Sequence, residues 1–282
     1  MITVGARNGT RRRSVDRRLV IGATVLAVLV VVAVLAPWIA PHDPESIDGT
    51  RLLVGPSARH PFGTDALGRD VLSRVLYAYR ISLVVAGGSV ILAFVVGVPI
   101  GLLAGFSGGW VDLVLMRPID MILVLPALLL AITLISVFGT GSRIALIAIA
   151  VIFFPILARV MRSSAQVVTS LPFVDASRAR GMSGRRIALR HVLPNAVGPV
   201  LVQAAILMGF SMQIEAALSF LGLGTQPPTP SLGLMLFEGR DTLTRAPWAE
   251  IFPGLAIAVT VLAFNLVGDA SRRGLVSYGD AR

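Results

Sequence analysis

The segment FVDASRARGMSGRRIALRHVLPN, residues 173–195, is polar and rich in arginine, whereas the sequence on both sides of it is almost uncharged over long stretches. Asp175 falls in the first turn of a predicted helix, where the helix dipole favours an acid. Gly181 should end that helix, since glycine adopts a left-handed terminus at little cost. Ser183 can cap a second short helix that runs to His191. We therefore predict two short helices joined by a glycine, exposed to water between membrane-embedded elements.

The composition of the whole chain indicates a membrane protein. The 282 residues are 55% hydrophobic and 14% charged, with a mean hydropathy of +0.82, and this charge content is low for a soluble domain. Uncharged runs that can cross a bilayer are found at 19–42, 81–111, 121–142, 144–158, 192–214 and 251–268. The fourth run is short, and it becomes long enough if Arg143 and Arg159 extend to the interfaces. We predict an all-α membrane protein with six transmembrane helices.

Missing residue types exclude several functions. All 25 basic residues are arginine, and there is no cysteine. Without lysine the chain can form neither a Walker A loop nor a Schiff base, and without cysteine it has no thiolate nucleophile or Cys-ligated metal. His42, His60 and His191 are scattered along the sequence, so we expect no metal site. Asp65 and Asp70 are interpreted as helix-cap and surface charges.

The positions of the arginines predict the orientation of the chain. Seventeen of the 25 fall in segments on the same side as the N-terminus, so the positive-inside rule puts both termini and residues 173–195 in the cytoplasm. This distribution accounts for the net charge of +10 without a nucleic-acid partner. The middle of each predicted span is free of ionisable residues, which argues against a proton-coupled carrier. Energy for transport should then come from outside the membrane.

Glycine and proline predict close helix contacts and bends. Gly87, Gly88, Gly97 and Gly101 place small residues along one side of the second span, where a neighbouring helix can approach closely. Each of the five later spans contains a proline, which predicts bends or interruptions in the bundle.

The chain divides into five parts around these spans. They are a cytoplasmic arginine-rich tail (1–18), a first transmembrane helix that is retained rather than cleaved as a signal peptide (19–40), an outer segment that includes an amphipathic helix on the membrane surface (41–80), a five-helix core (81–270) and a cytoplasmic tail (271–282). Within the core, residues 215–250 are predicted as an outer re-entrant segment whose backbone must be covered by protein. This segment either lines an outer gate or plugs the bundle.

The spacing within residues 173–195 resembles the cytoplasmic EAA loop of bacterial ABC-transporter permeases. That pattern reads Glu-Ala-Ala, three residues, Gly, nine residues, Ile-x-Leu-Pro. Here DAS at 175–177, the glycine at 181 and HVLP at 191–194 fall at matching positions. Aspartate replaces glutamate, serine replaces the second alanine and histidine replaces isoleucine. A literal EAA at 215–217 lacks the glycine that should follow it.

Other stretches are similar to one branch of these permeases, the C-type inner-membrane subunit of dipeptide, oligopeptide and nickel importers. They are HPFGTDALGRDVLSR at 60–74, RHVLPN at 190–195, LSFLGLG at 218–224, QPPTP at 226–230, FPGLAI at 252–257 and AFNLVGD at 263–269. The likeness runs from residue 60 to about residue 270 in the family's order. The tail after Asp269 departs from the tails of that branch.

The resemblance implies the type I permease fold of ABC importers, with cytoplasmic coupling helices. It implies a non-enzymatic transport subunit in the bacterial inner membrane, without a cofactor of its own. A homologous permease subunit would complete the path for di- and oligopeptides as a heterodimer. Two ATPase subunits would hold ATP and Mg, and an extracytoplasmic binding protein would deliver the substrate. The residues that line the path stay open.

The resemblance also assigns a site to the loop, in which one set of residues couples the permease to the ATPase. These residues are Asp175, Ala176, Ser177, Arg178, Gly181, Arg185 and Arg186. Two alternatives stay open at this point. One is a permease of the same family for nickel or another small solute, and the other is a stand-alone secondary carrier or channel.

Overall fold

The computed structural model describes residues 17–279, and the side chains of residues 17–272. The predicted tail at 1–18 lies outside this range except for its last two residues, and so does the end of the tail at 271–282. The described residues form ten α-helices, one π-helical turn and one 3-10 turn. The α-helices are α1 Arg17–Ile39, α2 Val71–Ser107, α3 Gly109–Val124, α4 Ala127–Phe138, α5 Ser142–Thr169, α6 Pro172–Ala179, α7 Gly184–Ile187, α8 Leu193–Phe220, α9 Leu232–Gly239 and α10 Trp248–Gly279.

Five helical stretches in the described part of the chain are long and apolar enough to cross a membrane. They are α1, α2, α5, the continuous stretch Gly184–Phe220 and α10 up to Arg272. The predicted span at 121–142 is instead divided between α3 and α4, whose axes are bent by 97°. The all-α membrane fold is confirmed, with six spans if the bent pair counts as one.

Pro126 causes this bend. It is the N-cap residue of α4, with φ −59° and ψ 125°. Because proline has no N–H and disfavours helical geometry in the preceding residue, α3 ends at Val124. The other four prolines that predict interruptions lie inside unbroken helices, so their effect is limited to local hydrogen bonding. These are Pro99, Pro155, Pro199 and Pro253.

The predicted amphipathic surface helix before residue 80 does not exist as a separate element. Its residues form the first turns of α2, which begins at Val71 and continues without a break to Ser107. Both of its faces are buried, since Val75 is 5% exposed on the apolar side and Arg74 is 1% exposed on the polar side. The alternation of apolar and charged residues is real, but the charged side faces protein groups rather than water.

The helices α2 and α5 pack closely against each other along a line of glycines. A Cβ atom built on Gly97 would lie 2.6 Å from the carbonyl oxygen of Phe154, and one on Gly101 would lie 2.2 Å from that of Ala158. The predicted close approach at these two glycines is confirmed. Gly105 extends the line, with a Cβ 2.5 Å from the oxygen of Arg162.

The re-entrant segment predicted at 215–250 has different limits in the structure. The helix α8 continues to Phe220 and α10 begins at Trp248, which leaves α9 in the middle of the connection. The short helix α9 packs against α2, α8 and α10, and its residues Leu232 and Met235 are buried. Glu215 therefore lies more than one turn inside α8, where it is 1% exposed and its Oε1 accepts a hydrogen bond from Ser219.

Candidate functional site

The helix α6 forms the first half of the coupling segment, which we define as residues 173–195. It begins at Pro172, and its first and last turns contain Asp175 and Arg178. These side chains form an ion pair with 3.2 Å between Nη1 and Oδ1. Their order along the helix agrees with the dipole, since the acid lies near the N-terminus and the base near the C-terminus.

Gly181 ends α6 in a left-handed conformation, as the sequence predicts. Its φ is +75°, its N–H donates to the carbonyl of Arg178 at 2.9 Å, and the next N–H donates to the carbonyl of Ser177 at 3.2 Å. A Cβ atom at Gly181 would meet no atom within 4 Å. The glycine is therefore required for its backbone conformation and not for lack of space.

The inner face of α6 packs on the membrane helices. Val174 is fully buried, in the same core cluster as Val168 of α5 and Ile187 of α7. Ser177 is 1% exposed, and its hydroxyl donates to the carbonyl of Phe173 at 2.8 Å. The family resemblance assigns Ser177 to the ATPase-coupling residues, and the structure places its side chain on the inner face of α6. Its role in this structure is to support the helix from within.

The outer face of α6 is uncovered. Phe173, Ala176 and Ala179 recur at helical spacing and are all exposed, with Phe173 at 39%. Arg185 and Arg186 are also exposed, and neither makes an ion pair with any residue in the range 17–272. The structure thus brings a short apolar stripe and free guanidinium groups to one exposed segment, a combination typical of protein-docking surfaces.

The second half of the coupling segment differs from the prediction. The sequence predicts a separate helix ending at His191, whereas α7 runs through a π-helical turn, Ala188–Val192, directly into α8. Within this turn the N–H of Leu193 donates to the carbonyl of Ala188, five residues earlier. The wider turn accommodates Pro194, whose ring would clash with the carbonyl four residues earlier in a regular helix. Ser183 takes the N-cap position, but its side chain makes no capping hydrogen bond.

The end of α2 supports the coupling segment from a second side. The guanidinium of Arg178 lies over the ring of Phe106, 5.8 Å from its centroid. Phe106 also lines a cavity of about 470 Å³ together with Gly184 and Leu189. Sequence reasoning missed Phe106, because nothing in an apolar run distinguishes the aromatic residue that meets a partner 72 positions away.

Two further ion pairs join α3 to α5. Arg162 donates to both carboxylate oxygens of Asp112, and Arg159 pairs with Asp120. The bidentate geometry of the first pair gives it directional strength. These pairs connect the first half of the broken span to the helix that packs under the coupling segment.

A largely buried ion network connects the outer segment to α9, with Glu238 partly exposed at its edge. The Oε2 atom of Glu238 accepts from Arg69 at 2.8 Å and from Arg74 at 2.7 Å. The Oδ2 atom of Asp65 accepts from Arg69 Nε at 2.7 Å and lies 3.6 Å from Arg74 Nε. The prediction that Asp65 is a surface charge is wrong, since its side chain is only 13% exposed. We name Asp65, Arg69, Arg74 and Glu238 the outer ion network.

Asp70 is a helix cap, as predicted, but it is not on the surface. Its Oδ2 accepts from the N–H of Ser73 at 2.8 Å, and its side chain is 1% exposed. Two of the three histidines, although scattered along the sequence, come together in the structure. The rings of His42 and His60 are stacked with centroids 4.7 Å apart, and both lie beside Asp70.

Asp48 stabilises a turn in the same outer segment. Its Oδ1 accepts from the hydroxyl of Thr50 at 2.6 Å and from the N–H of Thr50 at 3.0 Å. These hydrogen bonds, led by that of the hydroxyl, lower the pKa of the Asp48 carboxyl below its ordinary value. These hydrogen bonds therefore stabilise the folded protein at pH values above the ordinary pKa of Asp48. This contribution is lost as the pH falls through the lowered pKa.

Two family models match different parts of the chain. A family model described as the inner membrane component of binding-protein-dependent transport systems matches residues 97–277. A second, described as the N-terminal transmembrane domain of oligopeptide transport permease C, matches residues 11–56. The first match includes the whole coupling segment, and the second ends before the outer ion network.

Similar proteins are found across most of the chain. The dipeptide transport system permease protein DppC of Alkalihalophilus pseudofirmus is 39% identical over 256 residues, which are 91% of this chain and 84% of the relative. The glutathione transport system permease protein GsiD of Pectobacterium atrosepticum is 40% identical over 266 residues, 94% of this chain and 88% of the relative.

A solved structure shares the fold. A chain of the methionine ABC transporter MetNI, in an inward-facing conformation, superposes with a TM-score of 0.59 at 18% identity, covering 71% of this chain and 95% of that chain. These comparisons do not support the alternative of a stand-alone secondary carrier or channel. The family match over more than half of the sequence, and the relatives along nearly all of it, show that this chain belongs to the binding-protein-dependent transport system inner membrane components, the non-enzymatic permease subunits of ABC importers.

Proposed function

We propose that this chain is the permease subunit of an importer for short peptides, paired with a second, homologous permease subunit as a heterodimer. The relatives support this substrate class, since they are named for dipeptide, di/tripeptide and glutathione transport. An extracytoplasmic binding protein delivers the peptide, and the two permease subunits enclose its path through the bacterial inner membrane. Membrane lipid surrounds the exposed apolar side chains.

The proposed orientation places both termini and the coupling segment in the cytoplasm. The arginine distribution supports it, because 17 of the 25 arginines then lie on the cytoplasmic side. Two ATPase subunits hold ATP and Mg in this arrangement. This chain has no lysine, so it cannot supply the Walker A loop that binds nucleotide phosphates.

The coupling segment transmits force from the ATPase in our proposal. The observation that carries this proposal is the short helix α6, whose inner face packs on the membrane helices and whose outer face is exposed. The apolar stripe of Phe173, Ala176 and Ala179 would enter a cleft of the ATPase, and Arg185 and Arg186 would pair with acidic groups at its rim. Asp175 and Arg178 stay at the surface of α6 as a polar border.

The attachments of the coupling segment explain how its displacement would reach the membrane helices. Arg178 contacts Phe106 at the end of α2, Val174 joins the core cluster that includes α5, and α7 is continuous with α8. Because the coupling segment is attached to α2, α5 and α8, a displacement of this segment by the ATPase would move the three helices together. Hinged motion of helices around a packed contact is a common form of gating.

Replacing Gly181 with proline tests the proposed coupling. Proline cannot adopt a φ of +75°, so Gly181→Pro should deform the link between α6 and α7 without touching the transmembrane contacts. We expect the assembled transporter to retain its subunits while peptide uptake and peptide-stimulated ATP hydrolysis fall by at least about tenfold, equivalent to 1.4 kcal/mol. Both rates can be measured in proteoliposomes.

Gly184→Ala provides the matched control for that experiment. Gly184 lies in the same segment at a helical position, and an added Cβ would be 3.5 Å from Phe106, an ordinary contact. This variant should transport normally. Undiminished uptake by an assembled Gly181→Pro transporter would contradict the proposed coupling role.

Competition experiments test the proposed substrate class. In cells that contain the complete transporter, uptake of a labelled dipeptide should fall in the presence of excess di- or tripeptides and stay unchanged with free amino acids or Ni²⁺. If instead Ni²⁺ is accumulated through the transporter and peptides do not compete, the substrate proposal is wrong although the permease function stands.

A further inference from the structure

His42, His60 and Asp70 come together at the N-terminus of α2. The imidazole rings are stacked with an interplanar angle of 27°. The distance from Asp70 Oδ1 is 2.9 Å to His60 Nδ1 and 3.8 Å to His42 Nδ1. One potential ligand atom from each of the three residues lies within 4.8 Å of the other two. The fold thus concentrates two nitrogen donors and one oxygen donor at a single point.

The three groups are held in place by the first turn of α2. The Oδ2 atom of Asp70 accepts from both the N–H and the hydroxyl of Ser73, at 2.8 and 2.7 Å. The other carboxylate oxygen, Oδ1, is therefore the one directed at the imidazoles. The backbone N–H of His42 donates to the same Ser73 hydroxyl at 3.1 Å, which ties the incoming chain to the helix end.

A simple hydrogen bond accounts for only part of this cluster. The contact between His60 Nδ1 and Asp70 Oδ1 is an ordinary hydrogen bond, but the distance of 3.8 Å from His42 Nδ1 to the same oxygen is too long for one. His42 Nδ1, the ring nitrogen nearest Asp70 Oδ1, is buried and lacks a hydrogen-bond partner among the described residues. A buried nitrogen without a partner costs free energy, and a bound ion would supply the partner.

The arrangement fits a transition-metal ion. Two imidazoles and a carboxylate form a donor set that suits Zn²⁺ and other first-row divalent ions. Metal–ligand bonds of about 2.0–2.2 Å place the donors of a tetrahedral site roughly 3.3 Å apart. The two separations in the structure, 2.9 and 3.8 Å, lie on either side of that value.

We propose that His42, His60 and Asp70 bind a divalent first-row metal ion that secures the outer segment to α2. His42 lines a cavity of about 580 Å³, so the remaining coordination position can hold water. Asp43 and Glu45 line the same cavity and attract cations, while Arg80 is the opposing positive group there. Arg74, one turn along from Asp70, is neutralised by the outer ion network.

Zinc binding to the full-length chain tests this proposal. The protein is purified in detergent with an affinity tag that contains no histidine, stripped with a chelator and dialysed against Zn²⁺. We expect one tightly retained zinc ion per chain by elemental analysis. Co²⁺ in place of zinc should give the visible absorption of a low-symmetry site with nitrogen and oxygen ligands.

Variants of the three histidines provide the comparison. His42→Gln and His60→Gln should each weaken zinc binding by at least about tenfold, and the double variant should lose it. His191→Gln is the matched control, because His191 lies in the coupling segment and should leave the stoichiometry at one. The cobalt spectrum of the unmodified chain gives an independent result if a variant fails to fold.

Two results would overturn the proposal. The first is a wild-type chain that retains no zinc and gives no cobalt spectrum. The second is zinc binding that survives in the double variant.

Discussion

Gly101→Val should prevent the stable packing of α2 against α5 and sharply reduce the yield of folded protein. A Cβ atom at this position would lie 2.2 Å from the carbonyl oxygen of Ala158 and 2.8 Å from the Cβ of Met161. The first obstacle is backbone, so no side-chain rotation can relieve it. Overpacking a core costs about 1–3 kcal/mol where neighbours can adjust, and we expect a larger loss here. Size-exclusion profiles and thermal unfolding in detergent measure it.

Gly87→Val on the same helix separates this steric effect from the general cost of replacing glycine. A Cβ at Gly87 would lie 3.7 Å from the methyl group of Met208, the far end of a flexible side chain. This control should give a monodisperse protein with nearly unchanged unfolding. A Gly101→Val protein that melts like the wild type would show that α2 and α5 are not in close contact.

Glu238→Ala should detach α9 from the outer segment. Glu238 accepts from both Arg69 and Arg74, and its removal leaves Arg74, 1% exposed, with Asp65 at 3.6 Å as its remaining charged partner. Removing one member of a buried ion pair costs about 3–5 kcal/mol because the partner's charge stays buried. The change should lower the melting temperature and increase hydrogen exchange in α9 selectively.

Asp241→Ala is the matched control for the outer ion network. Asp241 pairs with Arg240 at 3.3 Å, but the Asp241 side chain is 82% exposed. Exposed pairs contribute about 0–1 kcal/mol, so its loss should be nearly silent. Equal stability of Glu238→Ala and the wild type would mean that the network does not hold α9 in place.

Local chemistry explains why the coupling segment could be predicted from the sequence in such detail. The position of Asp175 in the first turn of α6 and the left-handed end at Gly181 depend on properties of single residues at a helix terminus. The π-helical turn that merges α7 with α8 could not be predicted in the same way. The proline at 194 indicates a disturbance, but it does not say whether the helix breaks or widens around it.

The same limit applies to the prolines in the membrane helices. Pro126 ends a helix at a bend of 97°, whereas Pro155 lies inside the unbroken α5. Neighbouring helices decide between these outcomes, because they supply or withhold the contacts that compensate for the lost hydrogen bond. A single sequence contains the proline but not its neighbours in space.

The outer segment shows most clearly what the sequence leaves open. Arg74 pairs with Glu238 at a separation of 164 residues, and His42 meets Asp70 across a loop. A charged stripe on a helix has the same spacing whether it faces water or a buried carboxylate, so the pattern alone suggested a surface helix. Whether such a stripe is buried depends on the groups that pack against it and not on its own sequence.

The amino-acid sequence by itself determined the hydrophobic spans and the turn chemistry of residues 173–195, because each depends on neighbours along the chain. Only the tertiary structure decided which face of α6 is exposed, which glycines meet a backbone and which charged residues are buried together. Those features are set by groups far apart in sequence whose contact exists only after the helices have packed.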